Sequence, residues 1–235
     1  MDQFSRIQNE FWKIPVTEIS VRELPLFLLP DVVLFPEEVL PLHIFESRYR
    51  IMLQSALESD KRFGVVRWDP SEKRMEKVGC CAEIIKHQTS QDGRSNIITM
   101  GQQRFRILEI TRETPFLTGM VGWIEDEIVE DQDNLEKLSK SVKTALADVV
   151  DLTGKLTDSD PTLPDDLPHL PRELSYWIAA HLGGPVAEEQ QHLLEMVDTT
   201  QRLEREFQML DQTRRQLAAR TALKDTLSNV DQTNS

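Results

Sequence analysis

Across the first 124 positions, apolar residues fall in short runs broken by proline, glycine or polar clusters, the pattern of many short strands. The runs occupy residues 22–28, 39–44, 63–67, 80–87, 95–100, 103–110 and 116–124. Prolines at 25, 30, 36 and 41 deny helix to the opening stretch and predict strands that are short, bent or at a sheet edge. Gln91-Asp-Gly93 is an Asp-Gly hairpin signal between Ile84-Ile85 and Ile97-Ile98. Helix becomes possible only after Phe45. There Ile51, Leu53, Ala56 and Leu57 give a three-to-four spacing, with Glu46 at the positive helix end. Short strands around one embedded helix predict a small closed or half-closed barrel.

The period then changes from two to that of a helix. Leu135, Leu138, Val142, Leu146, Val149 and Val150 predict an amphipathic helix over 135–152. Prolines at 161, 164, 168 and 171 mark a loop. Pro171 then sits in the first turn of a helix predicted to reach Leu182 and stop at Gly183-Gly184. One long helix is predicted from Ala187 to Leu227, with a seam at 193, 197, 200, 203, 207, 210 and 217 that Arg214 interrupts. We expect that seam to pack on the preceding helices; pairing between chains is the alternative. The fold class is therefore α+β, a small β-barrel half followed by a helical half with a long C-terminal helix. The expected organisation is an N-terminal extension over 1–20, the barrel over 21–124, the helical part over 125–227, and a polar, disordered tail over 228–235.

Charge divides the chain at the same place. Residues 1–123 carry a net charge of −1 and residues 124–235 carry −12. The change falls at Glu125–Asp133, where six acids occur in nine residues; we read this run as a solvated connector. An overall charge of −13 argues against nucleic acid and anionic membrane as partners. No apolar run approaches the ~20 residues that span a bilayer. The first ten residues lack the apolar core of a secretory signal, so a cytoplasmic location is expected.

Little in the sequence supports catalysis. Cys80 and Cys81 are adjacent, on opposite faces of a strand, and predict one buried and one surface thiol rather than a disulfide. His43, His87, His169, His181 and His192 show no metal-ligand spacing, so no metal or cofactor is expected. The Gly154-Lys155 pair is followed by Leu156 and does not fit a phosphate-cradling loop; a Gly-x-Ser-x-Gly elbow is absent as well.

Leu24-Pro-Leu-Phe-Leu-Leu-Pro-Asp-Val-Val-Leu-Phe-Pro36, running on to Leu40-Pro-Leu-His-Ile-Phe-Glu-Ser-Arg-Tyr-Arg50, resembles the opening of the Lon protease N-terminal, substrate-binding domain. Phe63-Gly-Val-Val66, Val78-Gly-Cys80 with Ala82-Glu-Ile84, Asp92-Gly-Arg94 and Gly101-Gln-Gln-Arg-Phe-Arg-Ile107 continue the resemblance in order. Ile178-Ala-Ala-His-Leu182, Leu193-Leu-Glu-Met196 and Arg202-Leu203 extend it into the helical part, so it covers about residues 21–215. The resemblance implies a PUA-like barrel and a non-catalytic module that binds unfolded or degron-bearing polypeptide. It also implies an ATP-dependent protease as partner, whose ATPase and peptidase domains have no counterpart in these motifs. The expected contact surface is Phe35, Phe45, Glu46, Arg48 and Tyr49, beside a groove between the barrel and the helices. Two rivals remain. One is an assembly role as a homo-oligomer paired through the long helix. The other is RNA binding by the PUA-like barrel, with Arg104 and Arg106 on one strand face.

Overall fold

The computed structural model describes residues 20–183 and 186–233, with 225–233 as backbone alone. The extension expected over 1–20 lies outside the described residues except for Ser20, and so does Gly184. Seven strands come first: β1 (Val21–Pro30), β2 (Val39–Ile44), β3 (Arg62–Asp69), β4 (Arg74–Met75), β5 (Val78–Thr89), β6 (Ser95–Arg112) and β7 (Thr118–Trp123). Helix α1 (Ser47–Leu57) is embedded among them. Helices α2 (Gln132–Thr157), α3 (Pro171–Ala180), α4 (Ala187–Glu195) and α5 (Thr199–Thr233) follow.

The strands close on themselves in the order β1-β7-β6-β5-β3, and β3 returns to β1 as a parallel pair while the other pairings are antiparallel. Proline was expected to keep the opening strand short, bent or at an edge. Instead β1 runs ten residues inside the ring, because it changes partner at its proline. Residues 21–25 pair with β7 and residues 26–30 with β3, so Pro25 owes no second neighbour a donor. The ring interior is filled by Leu24, Leu26, Val66, Cys81, Phe105 and Val121. The outer face of β1, β3, β5 and β6 is covered by α1, whose Tyr49, Met52, Leu53 and Ala56 pack on Phe27, Phe63 and Ile97. Ile51, expected on that apolar face, is 50% exposed.

Two strands expected over 95–100 and 103–110 are one 18-residue strand, β6. Its first half pairs with β2 and its second with β7, while β5 follows both with two irregularities of register. Gly101 lies where the halves meet. A Cβ there would stand 1.9 Å from the Phe35 carbonyl oxygen, so only glycine lets the 35–38 turn close on the strand. The Asp-Gly hairpin forms as expected, with the Gly93 amide donating to Ser90 at 2.9 Å and Gly93 at φ +78°.

Cys80 and Cys81 are both buried, which corrects the expected surface thiol. Alternation does send them to opposite faces, but the ring interior covers one and the layer under α1 the other.

In the helical half, α2 and α5 lie side by side, and Leu203, Phe207 and Leu210 pack with Leu135, Val142 and Ala145. This is the intramolecular packing expected for the seam. The long helix expected from Ala187 is broken: α4 ends at Glu195, Met196 is extended, and α5 starts at Thr199. Asp198 supplies the new N-cap, its Oδ1 accepting from the amides of Thr200 (2.7 Å) and Gln201 (3.1 Å). Helical backbone continues to Thr233, across most of the segment expected as a disordered tail.

Candidate functional site

The break between α4 and α5 is where the helices are fastened to the barrel. Ending α4 frees the carbonyls of Leu194 and Met196, and two buried arginines take them up. Arg104, from β6, donates through Nη1 to both at 2.6 Å. Arg202, from α5, donates to Met196 at 2.8 Å and to the Ser175 hydroxyl at 2.8 Å. Asp126 lies between the arginines. It accepts from Arg104, from Arg202 at 2.7 Å, from the Tyr176 hydroxyl at 3.0 Å and from the Thr199 hydroxyl at 2.8 Å.

The tyrosine ring carries both guanidinium groups over it, at 4.2 Å for Arg202 and 5.3 Å for Arg104. Burial alone would push the Asp126 carboxyl up, but the hydrogen bond and charge of Arg202, with the charge of Arg104, hold it below the usual range. Burial pushes Tyr176 up to about 12, so its hydroxyl keeps its proton and donates. Asp126 was expected in a solvated connector, and its side chain is only 6% exposed. Arg104 is spent in this network and is not available to a phosphate backbone.

Beside the network runs the expected groove between barrel and helices, of about 420 Å³. Its walls mix polar and apolar groups, with Glu37, Gln102, Arg172 and Glu173 beside Met100 and Ile124.

The five expected contact residues separate into two groups. Phe35 is fully buried and packs near Tyr176, with ring centroids 6.4 Å apart. Tyr49 is buried against Phe27, at 4.1 Å, and its hydroxyl donates to the Leu28 carbonyl at 3.3 Å. Neither reaches the surface. Phe45 is 58% exposed and lies 6.0 Å from the His43 ring in a stacked arrangement. Glu46 and Arg48 pair with each other at 2.9 Å on the surface.

Phe45 follows directly on β2, which pairs with β6 alone among the described residues. The Gly101 amide donates to the Glu38 carbonyl, and this phases the ladder so that residues 40, 42 and 44 bond inward. The backbone of 39, 41 and 43 then points away from the sheet, and Pro41 falls where no donor is required. Two residues past Phe45, a groove of about 540 Å³ opens between α1 and the β5–β6 hairpin, lined by Ser47, Ile51, Leu57, His87 and Ser95 among others. Sequence reasoning missed this groove because it assigned Ile51 to the buried face.

A closed barrel is thus joined to a helical bundle through one buried charge network. Residues 23–212 match the family described as ATP-dependent protease La (LON) substrate-binding domain, and the chain belongs to that family. It is 28% identical over 197 residues to a Lon protease of Anaeromyxobacter dehalogenans, a match covering 81% of this chain and 23% of that protein. Lon protease 2 of Myxococcus xanthus is also 28% identical over 197 residues, covering 81% and 24%. The chain thus spans about a quarter of the length of these curated relatives. Among solved structures, the Lon N-terminal domain protein from Xanthomonas campestris has the same fold, with a TM-score of 0.57 at 23% identity, covering 78% of this chain and 96% of that one. The N-terminal domain of Mycobacterium avium complex Lon protease superimposes with a TM-score of 0.58 at 20% identity, covering 81% and 98%. Among the described residues, no helix is long and apolar enough to cross a membrane.

Proposed function

We propose that this chain is a non-catalytic module that binds unfolded or degron-bearing polypeptide and presents it to an ATP-dependent protease in the cytoplasm. The observation that carries this reading is Phe45, a large aromatic side chain 58% exposed at the end of an edge strand with outward-facing backbone groups. Exposed strand backbone pairs with an extended segment, and an adjacent aromatic contributes apolar contact. The groove beside α1, with half-exposed Ile51 on its wall, offers room for a second apolar side chain. The protease half of the reading is supported by the Lon proteases among its relatives.

The test is fluorescence anisotropy of a labelled, permanently unfolded polypeptide against the folded domain. Saturable binding is expected, weakened roughly tenfold in Phe45→Ala, the loss of one well-placed aromatic contact. The reading fails if the folded domain does not bind the polypeptide, or if Phe45→Ala binds it as tightly.

A further inference from the structure

A cleft of about 360 Å³ lies between the β3–β4 turn and α4, apart from the surface around Phe45. It is rich in carboxylates: Asp69, Glu72 and Glu76 come from the barrel side, Glu188 and Glu195 from α4. Facing them are two guanidinium groups, Arg67 and Arg74, and the exposed His192. Both arginines are already engaged. Arg67 pairs with Asp31, Asp69 and Glu76 at 3.3–3.4 Å, and Arg74 with Glu76 at 3.2 Å. Asp69 stays ionised, since the Ser71 hydroxyl and the Glu72 amide donate to it and lower its carboxyl to about 2. Among the described residues, Glu72 and Glu188 have no ion-pair partner, and Glu195 accepts one hydrogen bond from Gln191. Negative charge is left over.

A second observation is independent of that charge. Gln191 is 4% exposed and lines the cleft. Its Nε2 donates to the Val78 carbonyl at 3.2 Å and to Glu195 at 2.8 Å, while its Oε1 has no partner. A buried amide oxygen without a donor is an uncommon and costly arrangement. Arg67 Nε, in the same cleft, is a donor without an acceptor. The carboxylates are too dispersed for a metal ion: among the described residues no group of three or more His, Cys, Asp or Glu is placed to hold one. The matching occupant is therefore a cation that carries its donors on a side chain. A peptide carbonyl beside that side chain would complete Arg67.

We propose that this cleft is a subsite for a basic side chain, the guanidinium of arginine in particular, within a bound polypeptide. The proposal deepens the polypeptide-binding reading and rests on it for the biological ligand. Arginine presents several donors in one plane, so it can serve Gln191 Oε1 and the free carboxylates together.

The experiment titrates the full chain with N-acetyl-arginine amide, and separately with its neutral isostere N-acetyl-citrulline amide. It follows the Gln191 side-chain amide and the backbone amides of Glu188–Glu195 by nuclear magnetic resonance. Saturable shifts are expected with the arginine compound alone, unaffected by Phe45→Ala. The double variant Glu72→Gln with Glu188→Gln, both exposed positions, is expected to weaken that binding roughly tenfold or more. The proposal is overturned if arginine produces no saturable shift at Gln191, if citrulline matches it, or if the double variant binds unchanged. Because the probe is a single amino-acid derivative, arginine binding in a protein that ignores unfolded polypeptide would sink the wider function while upholding the cleft.

Discussion

Arg202 of α5 donates to Asp126 at 2.7 Å, joining the start of the last helix to the segment that leaves the barrel. Asp126 also accepts from Arg104 of the barrel, so one carboxylate is shared by two buried cations from opposite halves of the molecule. Removing it leaves both guanidinium groups without their counter-charge in a dry site. We expect Asp126→Ala to lose about 3–5 kcal/mol of stability, read as a shift of the urea denaturation midpoint. The sign with pH follows from the lowered carboxyl. Its contribution is present above the ordinary value of 3.8 and is lost as pH falls through the lower folded value.

Glu206 lies one turn beyond Arg202, fully buried, and neither carboxylate oxygen has a hydrogen-bond partner. Burial pushes its carboxyl well above the ordinary 4.5, against the charge of Arg202. A folded state that holds a proton the unfolded chain releases loses stability as pH rises from 4.5 through the folded value. Glu206→Gln is therefore expected to be more stable than the parent at about pH 8, with the gap closing towards about pH 4.5. Equal gaps in urea melts at the two pH values would refute a protonated Glu206.

Phe35 and Phe45 are expected to respond in opposite ways. Phe35→Ala opens a cavity where barrel and helices meet and should cost about 3–5 kcal/mol. Phe45→Ala, at an exposed position, should change stability by no more than about 0.5 kcal/mol while weakening polypeptide binding. Paired thermal melts and binding isotherms of the two variants separate the roles.

Both thiols are held out of reach. Burial pushes Cys80 well above its ordinary value and Cys81 up to about 11, so neither offers thiolate at neutral pH. An aromatic disulfide reagent should find no reactive thiol in the folded chain and two after denaturation. Fast reaction of one thiol in the native protein would contradict the burial of both faces of β5 at these positions.

Much of the architecture was readable along the chain. Short apolar runs between proline and turn signals marked most of the strands, Asp-Gly marked the hairpin, the helical period marked α2, and Pro171 with Gly183 marked the ends of α3. These signals are local, because side-chain direction repeats with the backbone. The break at Met196–Asp198 was readable too: Asp198-Thr-Thr is an N-cap pattern, masked by an apolar rhythm that continues across it.

The sequence by itself determined where most strands and helices lie, though not where each one breaks or merges, since turn chemistry and apolar period act over a few residues. Only the tertiary structure decided which positions stay dry. Asp126 sits among six acids and reads as solvated until Arg104 and Arg202, from distant segments, close around it. Phe35 and Phe45 are the same residue type in one motif, and Cys80 and Cys81 are neighbours. The first pair separates into core and surface, and the second is buried whole, because burial depends on what the rest of the chain brings against each face.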